Sequence, residues 1–234
     1  MTLTIVSGYW IVQNKYNKIY DDWFNHSLKI NAPYIFFGNA QSIELVKPFR
    51  AGLPTHYIEC DLEEFYCNRY RNRFGVDPDH CPSTELAMIW NEKLFLVERA
   101  ARINPYSSEF FMWVDAGICV YRDTPPPSIP FPNPIKLSAM PKDKFIFTST
   151  RDTEFKLEYV GTHLEHYVAG TAFLLHYSII PRFIKLYKES LERYTAPDKI
   201  IYDQIIFTYI YADHPELFHN AGYGYGNLIP MLYP

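Results

Sequence analysis

Asp115 is the residue best placed to do chemistry. It follows the apolar run Phe110-Phe-Met-Trp-Val114 and precedes Ala116-Gly117. In open α/β sheets ligands bind beyond the carboxyl ends of the strands, so a carboxylate at that point faces a crevice. Gly117 lets the backbone turn and a ligand come close. An acid there holds a metal ion or a ribose hydroxyl, or else caps the next turn. A second candidate is His166-Tyr-Val-Ala-Gly-Thr-Ala172, where small residues at 169, 170 and 172 admit a ligand or a closely packed neighbour. A third is Asp203-Gln204, about 100° apart on a helix expected over Lys199 to Tyr211. The pair interrupts an apolar stripe of Ile200, Ile201, Ile205, Phe207 and Tyr209, so it faces a polar cleft or sits as an acid favouring the helix N-terminus. A fourth is His219-Asn220-Ala-Gly222, suited to a metal ion or a diphosphate, or incidental to a loop.

The elements that must position these residues alternate between strand and helix. Thr2 to Ser7 reads as a buried strand closed by Gly8, Lys18 to Ile30 as a helix, and Tyr34 to Phe37 as a second strand. A right-handed crossover makes those two strands parallel. Thr55 to Glu59 is a third strand, and Leu62 to Phe74 reads as helical, with Arg69, Arg71 and Arg73 on a solvated face or, in a second reading, facing a phosphate. Ser83 caps a long helix to about Ala101. Glu109 to Val114 is the most buried strand by composition. A proline-rich arm, Asp123 to Pro134, cannot form regular structure. Strands are expected over Lys144 to Thr150, Phe155 to Val160 and Gly170 to Leu175, then a helix from Ile179 to Tyr194. The tail from Asp213 reads as loop. Together these elements predict one α/β domain, strands in the middle of a three-layer sandwich.

Composition narrows the field. The chain has 234 residues, 48% hydrophobic and 21% charged, which supports a core and excludes disorder as the main state. A net charge of −4 excludes the basic footprint of a nucleic-acid binder. Aromatics reach 18%, suiting both core and sugar- or base-lined walls. Cys60, Cys67, Cys81 and Cys119 form no CxxC pair, which predicts reduced thiols, no structural zinc and a cytoplasmic setting. No run is long enough to span a membrane. The P-loop, dinucleotide and nucleophile-elbow signatures are absent.

In order, Thr4-Ile-Val-Ser7, Ile89-Trp-Asn-Glu-Lys93, Phe110-Phe-Met-Trp-Val-Asp-Ala-Gly-Ile118, His166-Tyr-Val-Ala-Gly-Thr-Ala-Phe173 and Tyr202-Asp-Gln204 resemble nucleotide-sugar glycosyltransferases of the GT-A type. Within that type they resemble the HtrL/YibB-like family of proposed bacterial glycosyltransferases. The resemblance implies an α/β/α sandwich on a mixed, mostly parallel sheet, and one catalytic domain over 1–234. Its nucleotide-binding half would be 1–120 and its sugar and acceptor half 144–234, joined by the arm 123–134. It implies transfer of a sugar from a nucleoside-diphosphate donor to a hydroxyl on a glycan, lipid or protein, as in polysaccharide biosynthesis.

In that scheme Ser7, Gly8 and Tyr9 contact the nucleotide, and Lys93 or His219 meets the diphosphate. His166, Gly170, Thr171 and Gln204 line the sugar and acceptor side, and Asp203, ahead of Asp152, is the base. Asp115 binds ribose or, with His219, a divalent cation, Mn²⁺ or Mg²⁺. One departure stands out. The Asp-x-Asp usual in such enzymes is reduced to Asp115-Ala-Gly117. The site is then either a reduced metal centre or one where a side chain such as Lys93 stabilises the leaving diphosphate. Two other classes fit the same residues: a nucleotide- or carbohydrate-binding module without turnover, and a metal-dependent phosphoester hydrolase using Asp115, Asp152 and Asp203.

Overall fold

The computed structural model describes residues 2–16, 19–153, 155–156, 166–196 and 199–234. Among these, seven strands form one mixed sheet: β1 (Leu3–Gly8), β2 (Tyr34–Gly38), β3 (Thr55–Glu59), β4 (Phe110–Val114), β5 (Phe145–Ser149), β6 (Ala172–His176) and β7 (Phe218–Tyr223). Their order is β3-β2-β1-β4-β6-β5-β7. β1, β2, β3 and β4 run parallel, β6 runs against both β4 and β5, and β7 lies parallel to β5. The sheet therefore changes direction beside β4, and the start of β6 lies at the same end as the finish of β4. Val114 pairs with Ala172 there.

The two-residue period of the strands sorts their side chains into two cores. Val6, Phe111, Trp113, Phe147 and Phe173 face α3 (Thr84–Ile103), α5 (Ile180–Tyr194) and α6 (Asp203–Asp213). Ile5, Phe110, Met112, Val114 and Leu174 face the other layer, which holds α1 (Tyr20–Ser27), part of α2 (Ala40–Val46), α4 (Pro134–Ser138) and α7 (Leu228–Met231). The sheet sits between these two layers as expected. By the same period Asp115 falls on the Trp113 side, toward α3.

Several expectations change. The helix expected over Leu62 to Phe74 is instead two 3-10 segments, Leu62–Glu64 and Tyr66–Arg73, because Phe65 between them is extended. Arg71 pairs with Glu85, Arg73 with Glu192 at 3.0 Å, and Arg69 lies over Tyr66, so the arginine run is spent on local contacts. The first helix is shorter than expected, Tyr20–Ser27, and Lys18 lies outside the described residues. α6 starts at Asp203 because Tyr202 is extended, so Asp203 opens the helix rather than lying inside it. The tail is not loop: backbone pairing to β5 makes Phe218–Tyr223 the edge strand. The strand expected over 155–160 lies mostly outside the described residues. The proline arm is anchored midway, where Phe131 is buried against Tyr233 and its N–H donates to Asn31 O at 2.8 Å. No helix among the described residues is long and apolar enough to cross a membrane.

Candidate active site

The site is built around one buried ammonium. Ser83 Oγ accepts the Leu86 N–H and starts α3, whose repeat carries Ile89, Lys93 and Val97 along one buried face. A lysine in such a stripe is costly unless its charge and protons are met. Lys93 Nζ lies 3.0 Å from Asp115 Oδ1 and 3.0 Å from Asp203 Oδ2, and donates to Gly170 O at 3.1 Å. Two ion pairs offset its charge, and one hydrogen bond to a carbonyl takes up a proton. Asp115 Oδ1 also accepts from Trp113 Nε1 at 2.7 Å, which fixes the carboxylate against its own strand.

Topology brings these groups together. Asp115 leaves the end of β4, and its N–H donates to Thr171 O at 2.9 Å at the start of β6. Gly170 N donates to Gln204 Oε1 at 3.1 Å, tying the same turn to α6. A side chain at 170 has no room, since a Cβ would stand 2.8 Å from Gln204 Cγ and 2.9 Å from Asp203 Cγ. The small residue expected to admit a ligand instead admits Asp203.

Burial pushes the Asp203 carboxyl up to about 6, opposed by Lys93 and reinforced by the Asp115 charge. For Lys93 burial acts downward, but the two carboxylates reverse it and hold the ammonium above its ordinary value. The side chains differ in reach: Asp115 is 30% exposed and Asp203 only 2%. Asp115 can therefore be reached from outside, while Asp203 is enclosed beside Lys93.

α3 is buried nearly all round, and three consecutive polar residues on it point three ways. Asn91 donates to Ile201 O at 3.0 Å and accepts from Tyr187 Oη at 3.2 Å, which holds the segment leading into Asp203. Glu92 accepts the N–H groups of Tyr66 and Cys67 at 3.0 and 2.9 Å, and burial pushes its carboxyl up to about 7. Lys93 takes the sheet side.

Above Asp115 lies a cavity of about 370 Å³. Gly8, Tyr9, Tyr16 and Tyr20 form one wall, and His80, Trp90, His166 and Tyr225 another. His166 Nε2 lies 2.8 Å from Tyr225 Oη and its Nδ1 lies 3.2 Å from Tyr202 Oη. Gly224 (φ 97°) and Gly226 (φ 75°) supply the left-handed turns that present Tyr225 from the end of β7. Among the described residues three buried polar atoms on cavity residues, Thr171 Oγ1, His80 Nε2 and Asp203 Oδ2, have no hydrogen-bond partner. Such atoms mark a place where a ligand or water completes the site.

Of the expected residues, Gly8, Tyr9, Lys93, Asp115, His166, Thr171, Asp203 and Gln204 line the cavity, and Gly170 supports its floor. Three do not join them. Ser7 is fully buried, its hydroxyl donating to Val114 O at 2.7 Å between β1 and β4, so it serves the sheet rather than a nucleotide. Asp152 is exposed beyond β5 and is absent from the cavity lining, which removes it as a base and removes the three-aspartate hydrolase centre. His219 sits on the row Met112, Leu174, Ile146, His219 across four strands. Three strand spacings put it about 14 Å from Met112. Asp115 lies farther along β4 again, so the two share no metal ion and His219 meets no diphosphate.

The donors also do not suit a resident divalent cation. Among the described residues no three His, Cys, Asp or Glu side chains converge on one point. The position between the two carboxylates is taken by Lys93 Nζ. Residues missed in the sequence include Asn91, Glu92, Lys15, His80, Arg122 and Tyr225. The run Asn91-Glu92-Lys93, polar residues within an apolar helix, was the available signal for the first two.

The fold is GT-A-like. It is similar to mouse xyloside xylosyltransferase 1, with a TM-score of 0.55 at 13% identity over 94% of this chain and 85% of that one. A glycosyltransferase involved in glycosylating the major capsid of PBCV-1 aligns with a TM-score of 0.47 at 15% identity, over 94% of this chain and 82% of that one. No curated protein sequence matches significantly. The family model HtrL_YibB, described as a bacterial protein of unknown function, matches residues 55–229. That stretch spans α3, β4, the Gly170 turn and α6, all the elements that assemble the Lys93 centre, and the chain belongs to the HtrL_YibB family.

Proposed function

We propose that this protein transfers a glycosyl residue from a nucleoside-diphosphate sugar to a hydroxyl acceptor in the cavity above Asp115. The observation that carries the reading is the braced carboxylate itself. Asp115 stands at the carboxyl end of the central strand, beside the change of sheet direction, reachable from the cavity and held by Lys93 and Trp113. That is where an open α/β sheet places its ligand. The GT-A-like fold and the family membership support the reading.

The roles follow from reach and charge. Asp115 accepts a hydroxyl of the donor, and its negative charge lies near the anomeric carbon as that carbon becomes cationic. Lys93 holds the two carboxylates in place. Asp203 is a positioning residue acting through Lys93. Gly8, Tyr9 and Tyr20 flank the nucleotide side, and Gln204, Thr171 and the His166–Tyr225 pair flank the sugar and acceptor side. No step is routed through a metal ion. The test is release of nucleoside diphosphate from a panel of nucleotide sugars. The native protein consumes one donor, and Asp115→Asn consumes none while melting at nearly the same temperature. A fully active Asp115→Asn protein removes Asp115 from the chemistry. Tight donor binding with no release favours a binding module.

A further inference from the structure

We infer that Lys15, His80 and Arg122 form a diphosphate-binding subsite that works without a divalent cation. This rests on the transferase reading and names the groups that neutralise its leaving diphosphate.

All three residues line the cavity. Arg122 is stacked at 3.6 Å on Trp23 and held by Nε donating to Gly117 O at 3.0 Å. Its terminal nitrogens make no ion pair within 4.0 Å among the described residues. Lys15 likewise has no acid partner there. Both cations sit by one ring, Arg122 at 5.0 Å and Lys15 at 5.1 Å from the Tyr16 centroid. Two cations held by rings rather than by acids remain available to an anion.

His80 supplies an independent observation. Lys15 Nζ lies 3.2 Å from His80 Nδ1, and an ammonium has only protons to give, so Nδ1 is the acceptor. The imidazole proton then belongs on Nε2. Among the described residues that atom is buried without a partner, and it belongs to a cavity residue, so it is a donor with no acceptor yet. Lys15 thus does two things: it presents its own charge and sets the tautomer that leaves a neutral N–H without an acceptor on a cavity residue.

The chemistry selects a doubly charged, oxygen-rich group with several acceptors, which a diphosphate is. In transfer, the bond from the anomeric carbon to the β-phosphate oxygen breaks, its electron pair stays on that oxygen, and the acceptor oxygen bonds to the carbon as its proton passes to water. The negative charge left on the diphosphate falls to Arg122 and Lys15.

The test is calorimetric titration with inorganic pyrophosphate in EDTA, using the full chain. The native protein binds pyrophosphate, and Arg122→Met and Lys15→Met each weaken it about tenfold or more, the loss of one charge-assisted contact. Lys185→Met, an exposed lysine of α5, leaves binding unchanged and controls for net charge. Circular dichroism confirms that the variants fold. Binding seen only after Mn²⁺ is added, or binding in EDTA that both variants retain, overturns the inference. If pyrophosphate binds as expected and no nucleotide sugar is consumed, the subsite stands and the transferase reading falls. If a donor is consumed only with Mn²⁺ and pyrophosphate needs it too, the transferase reading stands and the subsite falls.

Discussion

Replacing Lys93 by Met tests whether its ammonium carries the centre. Methionine fills much the same volume, so the change is mainly the lost charge. It strands Asp203, whose side chain is 2% exposed, beside Asp115 with no cation between them. Removing one member of a buried charged pair costs about 3–5 kcal/mol. Two carboxylates and a carbonyl lose their partner here, so about 5 kcal/mol is expected near pH 8. For a chain of this size each kcal/mol moves the melting temperature by about 2–4 °C, giving a fall of roughly 10–20 °C.

The sign of the pH dependence follows from Asp203. Its carboxyl titrates near 6 in the native protein, above its unfolded value, so native stability falls as pH rises from about 4 to 6. Without the ammonium that carboxyl binds its proton at still higher pH. The variant then keeps losing stability through Asp203 above pH 6, where that group's contribution has ended in the native protein. Melting curves from pH 5 to 8 should show the gap widest at pH 8 and narrowing toward pH 5. Adding Asp203→Asn to Lys93→Met should recover part of the loss. A fall under about 1 kcal/mol, or a gap that ignores pH, refutes the reasoning.

Other outcomes follow from the same geometry. Gly170→Ala presses a methyl group onto Asp203 and Gln204, and overpacking of this kind costs about 1–3 kcal/mol, so thermal melts should show a loss together with a fall in activity. Arg50 is buried and donates to Leu28 O, Ile30 O and Ala32 O at 2.8, 2.8 and 3.0 Å while lying over Tyr34, so Arg50→Met should cost about 3 kcal/mol or more in urea unfolding and leave pyrophosphate affinity unchanged. Burial pushes Glu92 up to about 7, so the native state holds a proton that the unfolded chain releases, and stability falls between about pH 4.5 and 7. Glu92→Gln should flatten that slope, read as the change in urea midpoint between pH 5 and pH 8.

Strands were the most legible part of the fold. β2, β4 and β6 are fully buried, and such strands read as short apolar runs bounded by breakers. β7 was not legible, because an edge strand with exposed His219 and Asn220 is set by backbone pairing to β5 rather than by an apolar run. The start of α6 depended on the extended Tyr202, which apolar spacing does not encode. For the site, Asp115 could be placed from its strand, and Gly170 with Asp203 from their break in an apolar pattern. Their contact could not, since Lys93 reads in sequence as one more polar helix residue. Lys15, His80 and Arg122 come from three separate loops, and only the tertiary fold brings them to one ring and one cavity.

The most direct test of the central claim is a thermal-shift panel of nucleoside diphosphates and nucleotide sugars, each in EDTA and in Mn²⁺. A ligand at 100 times its dissociation constant adds about 2.7 kcal/mol. That is a rise of roughly 5–11 °C for a chain of this size. The account predicts that at least one nucleotide sugar raises the melting temperature in EDTA, and that the rise shrinks in Asp115→Asn and in Arg122→Met. No shift with any nucleotide, in EDTA or in Mn²⁺, contradicts it.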